Sequence, residues 1–388
     1  MYLIQAARLA WANTTEEPSR LIVRCAGITF AVVLMFMQTG FRNALFDSNV
    51  RIAEQADADY VLRTRTRFML SSGQRMPFHK ILEARNVLGV AEVQPVYFEN
   101  VASHLRKSEK PARRIRVMSF DLSSPIFKNL GIRRFCDLLD APMTAIADKK
   151  SKPMFEFGSN FQTSDQEAYG ELFKKEIRIV GYFNLGVDFS NDGNLYMTPD
   201  NFSRYFSFRA IDQTADYGLI RMEEGQSKDL LLKRLKQQLG PHVIVETKEQ
   251  FLQSERNFWG KSTPIGLIFA FGTLIGFVVG LIICYQVLAT DIGDHMSEFA
   301  TFKAMGFPSS FFAAVVVIQA LFMSIISFVP GLIITLGVFT FVNNFSGLIM
   351  FLNVSRTAVV LLLTIGMCVV SGVIALQKLL SSDPANLF

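Results

Sequence analysis

The chain contains no phosphate loop of the form G-x-x-x-x-G-K-[ST], so it does not carry the usual nucleotide cradle. Nor does it contain H-E-x-x-H, G-x-S-x-G or C-x-x-C, which excludes the commonest zinc-protease, serine-hydrolase and thiol-redox arrangements. Its four histidines, at 79, 104, 242 and 295, are widely separated. Cysteine is scarce, with only 4 in the chain. Cys25, Cys284 and Cys368 fall in apolar runs and read as small hydrophobes. Cys136 is the only one left for the polar part, which has no internal disulfide and must hold by its core. Charged residues make up 19% of the chain, and the net charge of +5 forms no basic stripe. A nucleic-acid partner is therefore not expected. No charge lies deep in a long apolar run, which argues against a transporter coupled to protons or ions.

Hydrophobic residues are abundant instead, at half of the sequence, with 36 Phe. Four runs reach the roughly 20 apolar residues that a bilayer requires: 21–41, 264–290, 311–342 with Pro330 inside, and 358–376. The first is longer than a signal-peptide core and is followed by no small-residue cleavage site, so it is expected to remain as a span. These runs divide the chain into an amphipathic N-terminal helix (1–20), a first span (21–42), a large outer domain with its stalk (43–262) and a second span (263–290). A short segment (291–308), a third span (309–343), a short loop (344–356), a fourth span (357–377) and a tail (378–388) follow. An even number of spans puts both termini on one side. Arg8, Arg20, Arg24 and Lys378 flank the spans there, against Arg356 alone in the loop between the last two. The positive-inside rule then places the termini and 291–308 in the cytoplasm and 43–262 outside.

In the N-terminal segment Leu3, Ile4, Ala7, Ala10 and Trp11 share a helical face, with Trp11 as an interface anchor. The outer domain carries a weak repeat. Ala58-Asp59-Tyr60 opens a strand, helix and strand over 58–98, and Ala215-Asp216-Tyr217 opens the same order over 215–246. Two such units predict a split, ferredoxin-like α+β domain, with 120–213 as an inserted subdomain. The patterns of 41–52 and 249–262 extend the first and second spans outward as helices. Paired, these would form a stalk. The expected fold class is thus an α-helical membrane protein of four spans with an α+β extracytoplasmic domain on a helical stalk.

Two motifs stand out. Gly272, Gly276 and Gly280 recur every four residues in the second span, a small-residue face that lets a helix approach closely. Its partner is either the first span or a second copy of the chain. The other motif is Glu298-Phe299-Ala300-Thr301-Phe302-Lys303-Ala304-Met305-Gly306, between the second and third spans. A loop there needs only to be polar. This one reads as a short helix with an apolar face, suited to docking on a partner. Phe299 and Phe302 are its expected anchors, and Glu298 its expected ion-pairing group. Asp291, Asp294, His295 and Glu298 are read as a solvated loop, because their spacing matches no standard metal site.

The order of one span, a large outer domain and three further spans, with Glu298 to Gly306 between the second and third, resembles the FtsX-like permeases of MacB-type ABC systems. Residues 26–38, Ala44-Leu45-Phe46-Asp47-Ser48 and the closing Asp383-Pro384-Ala385-Asn386-Leu387-Phe388 are similar to the cyanobacterial DevC branch. The resemblance implies a non-catalytic permease subunit in the inner membrane, with no cofactor or metal of its own. ATP and magnesium would be bound by a separate, DevA-like ATPase docked on Glu298 to Gly306. It further implies a second copy of the chain, a DevB-like periplasmic adaptor, a TolC-like outer-membrane duct and contact with membrane lipids. The function implied is export of a glycolipid or other amphiphile by mechanotransmission. The alternatives are an FtsX-type subunit that signals to a periplasmic enzyme, and a permease that extracts lipoproteins.

Overall fold

The computed structural model describes residues 2–106, 111–155, 157, 168–188, 190–346 and 348–380. The chain divides into two compact units. Unit 1 comprises Met1–Asn43, Ile265–Phe341 and Met350–Phe388, and unit 2 comprises Ala44–Pro264 with Val342–Ile349.

The chain opens with helices α1 (Tyr2–Thr15) and α2 (Pro18–Gln55). Then come β1 (Tyr60–Thr64), β2 (Met76–Pro77), α3 (His79–Arg85), β3 (Val90–Glu99), β4 (His104–Arg106), β5 (Arg113–Arg114) and β6 (Arg116–Ser119). They are followed by α4 (Cys136–Leu139), β7 (Thr144–Asp148), β8 (Ala168–Leu172), β9 (Lys175–Phe183), β10 (Asn194–Tyr196) and α5 (Pro199–Tyr205). The rest of the polar part is β11 (Thr214–Ala215), β12 (Tyr217–Met222), α6 (Lys228–Leu239), β13 (Val243–Thr247) and α7 (Lys248–Asn257). The closing helices are α8 (Pro264–Asp294), α9 (Met296–Ala304), α10 (Ser309–Ser346) and α11 (Val354–Leu380).

Four of these helices, α2, α8, α10 and α11, are long and apolar enough to cross a membrane. Within unit 1 they pack through small residues. A methyl group added at Gly27 would meet Ile283 at 2.6 Å, and one at Gly331 would meet Val32 at 2.7 Å. Polar side chains bridge the same helices. Thr29 Oγ1 donates to the carbonyl of Ser327 at 3.0 Å, and Ser371 Oγ to that of Leu281 at 2.7 Å. In lipid such bonds satisfy hydroxyls that would otherwise have no water. Helix α1 also belongs to this core, but it buries Ala6, Ala10, Asn13 and Thr14 and leaves Ile4 and Trp11 exposed. Ile4 thus stays outward, where a lipid interface would take it, while Leu9 packs on the core, the Trp11 ring lies 5.3 Å from that of Phe322, and the alanines allow the close approach.

Unit 2 is built on one eleven-stranded sheet, ordered β13-β1-β12-β3-β6-β10-β7-β9-β8-β4-β5. Its first four strands are antiparallel neighbours. They come from two strand–helix–strand passes, β1-α3-β3 and β12-α6-β13, interleaved in the split ferredoxin-like order. The repeated Ala-Asp-Tyr performs the same task twice. An Asp59 carboxylate oxygen accepts the Met222 amide at 2.9 Å, and an Asp216 oxygen accepts the Phe98 amide at 2.9 Å. Each aspartate ties its own strand to a neighbour. Successive residues point to opposite faces, and both faces are covered. Tyr60 and Leu62 join Ile81, Leu231 and Leu235 in one core, while Val61 joins Val96, Phe98 and Phe251 in the other. Long β3 continues past this subdomain, pairing through Tyr97–Glu99 with β6, and so feeds the inserted strands. There β10 and β9 run parallel to β6 and β7 respectively.

The two outward extensions differ. Helix α2 runs unbroken to Gln55. The segment before the second span does not continue as one helix. After α7, Phe258–Ser262 forms a π turn and Thr263 is extended, with φ −116° and ψ 149°. The cause is Pro264, whose ring drives the preceding residue out of the helical region. The expected second helical extension is corrected to a jointed one.

Glu255 on α7 is buried, and its Oε2 has no hydrogen-bond partner. Burial pushes its carboxyl up to about 7, against the pull of the Leu70 amide, Arg63 and Arg67. Its folded pKa lies above its unfolded value, so its stabilising contribution is full below about 4.5 and lost as pH rises through about 7. A shift of this size is worth roughly 3 kcal/mol as an upper bound. Thermal unfolding in detergent is expected to show falling stability between pH 5 and 8, with a flatter profile for Glu255→Gln. Identical slopes for the two chains would refute that assignment.

Candidate coupling segment

Helix α9 is set off from α8 by His295, which breaks the helix with φ −96° and ψ 16°. It ends where Gly306 takes φ +89°, a left-handed turn that glycine adopts without strain. The Gly306 amide closes on the Lys303 carbonyl at 3.0 Å, and the Phe307 amide on the Phe302 carbonyl at 3.2 Å. The sequence reading gave this segment an apolar docking face. The structure turns part of that face inward. Phe302 is half-buried, its ring 5.7 Å from Phe307 and 6.4 Å from Phe311, and Phe307 and Phe311 stand 4.8 Å apart. These rings fix α9 to the start of α10. What remains outward is Glu298, Thr301, Lys303, Ala304, Met305 and Gly306, with Met305 61% exposed. The side chains of Phe299 and Ala300 lie outside the described residues, as does the closing Asp383 to Phe388.

The ends of several helices meet at the base of α9. Asp291, in the last turn of α8, is buried and ion-paired with Arg24 of α2. The other Asp291 oxygen accepts Gln319 Nε2 from α10. Arg24 and Arg20 also approach Asp294, at 3.7 and 3.6 Å. His295 completes the group. Its Nδ1 lies 2.9 Å from the Asp291 carbonyl and its Nε2 3.1 Å from Glu16 Oε2, in the link between α1 and α2. The Asp291 carbonyl and the Glu16 carboxylate are both acceptors, so this setting favours the form of the ring in which both nitrogens donate. Burial alone would lower its pKa. The Asp291 carbonyl, Glu16, and the charges of Asp291 and Glu298 outweigh that and hold it above the ordinary value. Asp291, Asp294 and His295 therefore act as partners for charges on α2 and on the link before it, and Asp291 also for the Gln319 amide of α10. Their hydropathy gave no hint of this, because Arg24 and Gln319 lie far away in sequence. Among the described residues, no group of three or more His, Cys, Asp or Glu could hold a metal ion.

The glycine face of α8 also finds its partner. A methyl at Gly272 would meet Gln38 at 2.5 Å, and one at Gly276 would meet Met35 at 3.4 Å. At Gly280 it would meet Met367 Sδ at 2.5 Å and Ala31 Cβ at 2.8 Å. The face that sequence left open between two partners thus lies against α2 and α11 of the same chain. Beside that face α8 is bare, with Ile268, Phe271, Ile275 and Ile282 each at least half exposed.

Residues 269–384, which take in most of α8 and all of α9 to α11, match the family described as FtsX-like permease C-terminal. No curated protein matches the chain. Among solved structures, the chain is similar to the periplasmic region of MacB from Actinobacillus actinomycetemcomitans, at 11% identity and a TM-score of 0.37, covering 53% of this chain and 95% of that one. It is likewise similar to the extracellular domain of the noncanonic ABC-type transporter YknZ from Gram-positive bacteria, at 11% identity and a TM-score of 0.34, covering 49% of this chain and 98% of that one.

Proposed function

We propose that this chain, whose C-terminal region is of the FtsX-like permease type, is the membrane subunit of an ABC exporter driven by a separate cytoplasmic ATPase. The observation that carries the reading is the placement of α9 inside the matched region, where among the described residues exposed Glu298, Thr301 and Lys303 surround an exposed Met305. Nucleotide closure of the ATPases would move α9. The ion-paired base at Arg24, Asp291 and Gln319 would pass that displacement to α2, α8 and α10. Unit 2 would be the responding part, on the extracytoplasmic side, where it engages a membrane-fusion adaptor and a TolC-like duct. The four spans expose no deep charge, so they offer a polar cargo no route through the lipid. That favours mechanotransmission and an amphiphilic cargo such as a glycolipid. The functional unit would be a homodimer in the inner membrane, of the DevC type.

On this reading the anchor offered to the ATPase is Met305, beside Lys303 and Glu298. Truncating an apolar anchor in a protein pocket costs about 2 kcal/mol or more, which is over tenfold in affinity. Met305→Ala combined with Lys303→Glu is expected to lower copurification of the ATPase at least tenfold and to abolish permease-dependent stimulation of its turnover. An adaptor recovered in the same complex supports export. Undiminished ATPase recovery from the double variant would remove the docking assignment.

A further inference from the structure

At the β5 end of the unit 2 sheet, a tight turn carries an unusual pair of residues. Leu172 of β8 pairs with Lys175 of β9, which leaves only Phe173 and Lys174 to make the reversal. Both have positive φ, 50° and 62°. A two-residue turn of this hand favours asparagine and glycine, because a side chain at positive φ is strained. Phenylalanine and lysine stand there instead, and both are exposed. The Phe173 ring lies 5.8 Å from Phe206 and 5.8 Å from Phe208, the latter 52% exposed. Strain is thus accepted to present an aromatic ring on top of an aromatic cluster.

The surroundings are basic. The Phe173 amide reaches the His104 carbonyl of β4 at 3.4 Å, and His104 pairs with Arg114 of β5. Exposed Arg113, Arg114, Lys174 and Lys175 therefore gather at this end, with Arg106 ion-paired to Glu171. Against these cations the same strands carry only Glu171 and Glu176. Beside the turn is an open groove whose walls include Ala102, Pro111, Ala112 and Phe173. Strand β5 is the last of the sheet, so one side of it has no strand neighbour among the described residues.

We propose that this end of the sheet docks an acidic surface of a protein partner, with the Phe173 ring and the adjoining groove taking an apolar side chain from it. The cations select an anionic partner. The walled groove selects a protein, since a layer of lipid headgroups supplies no side chain to fill it. The inference rests on the reading of unit 2 as the part that meets an extracytoplasmic adaptor, and it names the surface used.

The test places a photoreactive benzoylphenylalanine at Tyr169 on β8 in the full chain in living cells, with Leu88 as a control position; these residues are 51% and 73% exposed. A single protein cross-link is expected from Tyr169, mapped by mass spectrometry to a peptide of net negative charge. Arg113→Glu with Arg114→Glu should reduce its yield at least tenfold, while Arg113→Lys with Arg114→Lys should retain it. Phe173→Asn with Lys174→Gly removes the ring and relaxes the turn, so the melting temperature should not fall although the yield drops at least tenfold. Cross-links to lipid only, yields unaffected by charge reversal, or no signal above the Leu88 control would each overturn the proposal. If the charge-dependent partner proves to be a cell-wall enzyme, the surface stands and the export reading fails.

Discussion

Asp291→Ala is expected to destabilise unit 1 by about 3 kcal/mol, because it leaves the largely buried Arg24 guanidinium with only its longer contact to the more exposed Asp294. Gln319 loses its acceptor in the same change. On the proposed function, coupled transport should fall below detection even where the chain still inserts. The decisive comparison is a double-mutant cycle. Arg24→Leu with Asp291→Leu removes both charges at once, and it should recover much of the stability lost by either single change. Coupling should not return, because the tie between α2, α8 and α10 is still gone. Strictly additive losses would mean that the two groups do not interact and that the base of α9 is held by something else.

Gly280→Leu is the second large effect. A methyl alone already sits too close to Met367 and Ala31, and leucine adds three more carbons. Overpacking of a tight core usually costs about 1 to 3 kcal/mol. Here the clash involves two helices at once, so loss of the assembled, active protein is expected. Leucine inserts readily into bilayers, and membrane integration should survive. Gly276→Ala is the matched control, since its added carbon finds an ordinary 3.4 Å contact. A fully active Gly280→Leu chain, measured by size-exclusion profile and transport, would place that face against lipid.

Much of this was legible because it depends on local pattern. The four apolar runs and the strand–helix–strand repeat are each written within a few dozen residues. The repeated Ala-Asp-Tyr proved informative because Asp59 and Asp216 both accept an amide from a neighbouring strand. What remained hidden depends on distant residues meeting. Sequence showed Asp291 as a polar loop residue, and nothing near it in the chain points to Arg24 or Gln319. The direction of Phe302 was equally obscure. Helical spacing identified an apolar face but could not tell whether Phe307 and Phe311 would claim it first. The break at Thr263 was readable from Pro264 alone, and the run of apolar residues around it obscured that local rule.

The Arg24–Asp291 pair also bears on how the protein is made. Arg24 enters the membrane with the first span, and its counter-ion Asp291 is not synthesised until the long Ala44–Pro264 piece of unit 2 has been translated. For that interval the guanidinium must reach water or lipid phosphates along its own flexible stem, as long cationic side chains do near the ends of spans. The first helix is therefore inserted in a provisional setting and reaches its final one only when the second arrives. The order of translation makes the arginine wait for the aspartate. A ribosome stalled before residue 291 would expose a nascent chain with an unmatched charge at the membrane surface, open to capture by the quality-control proteases of that membrane.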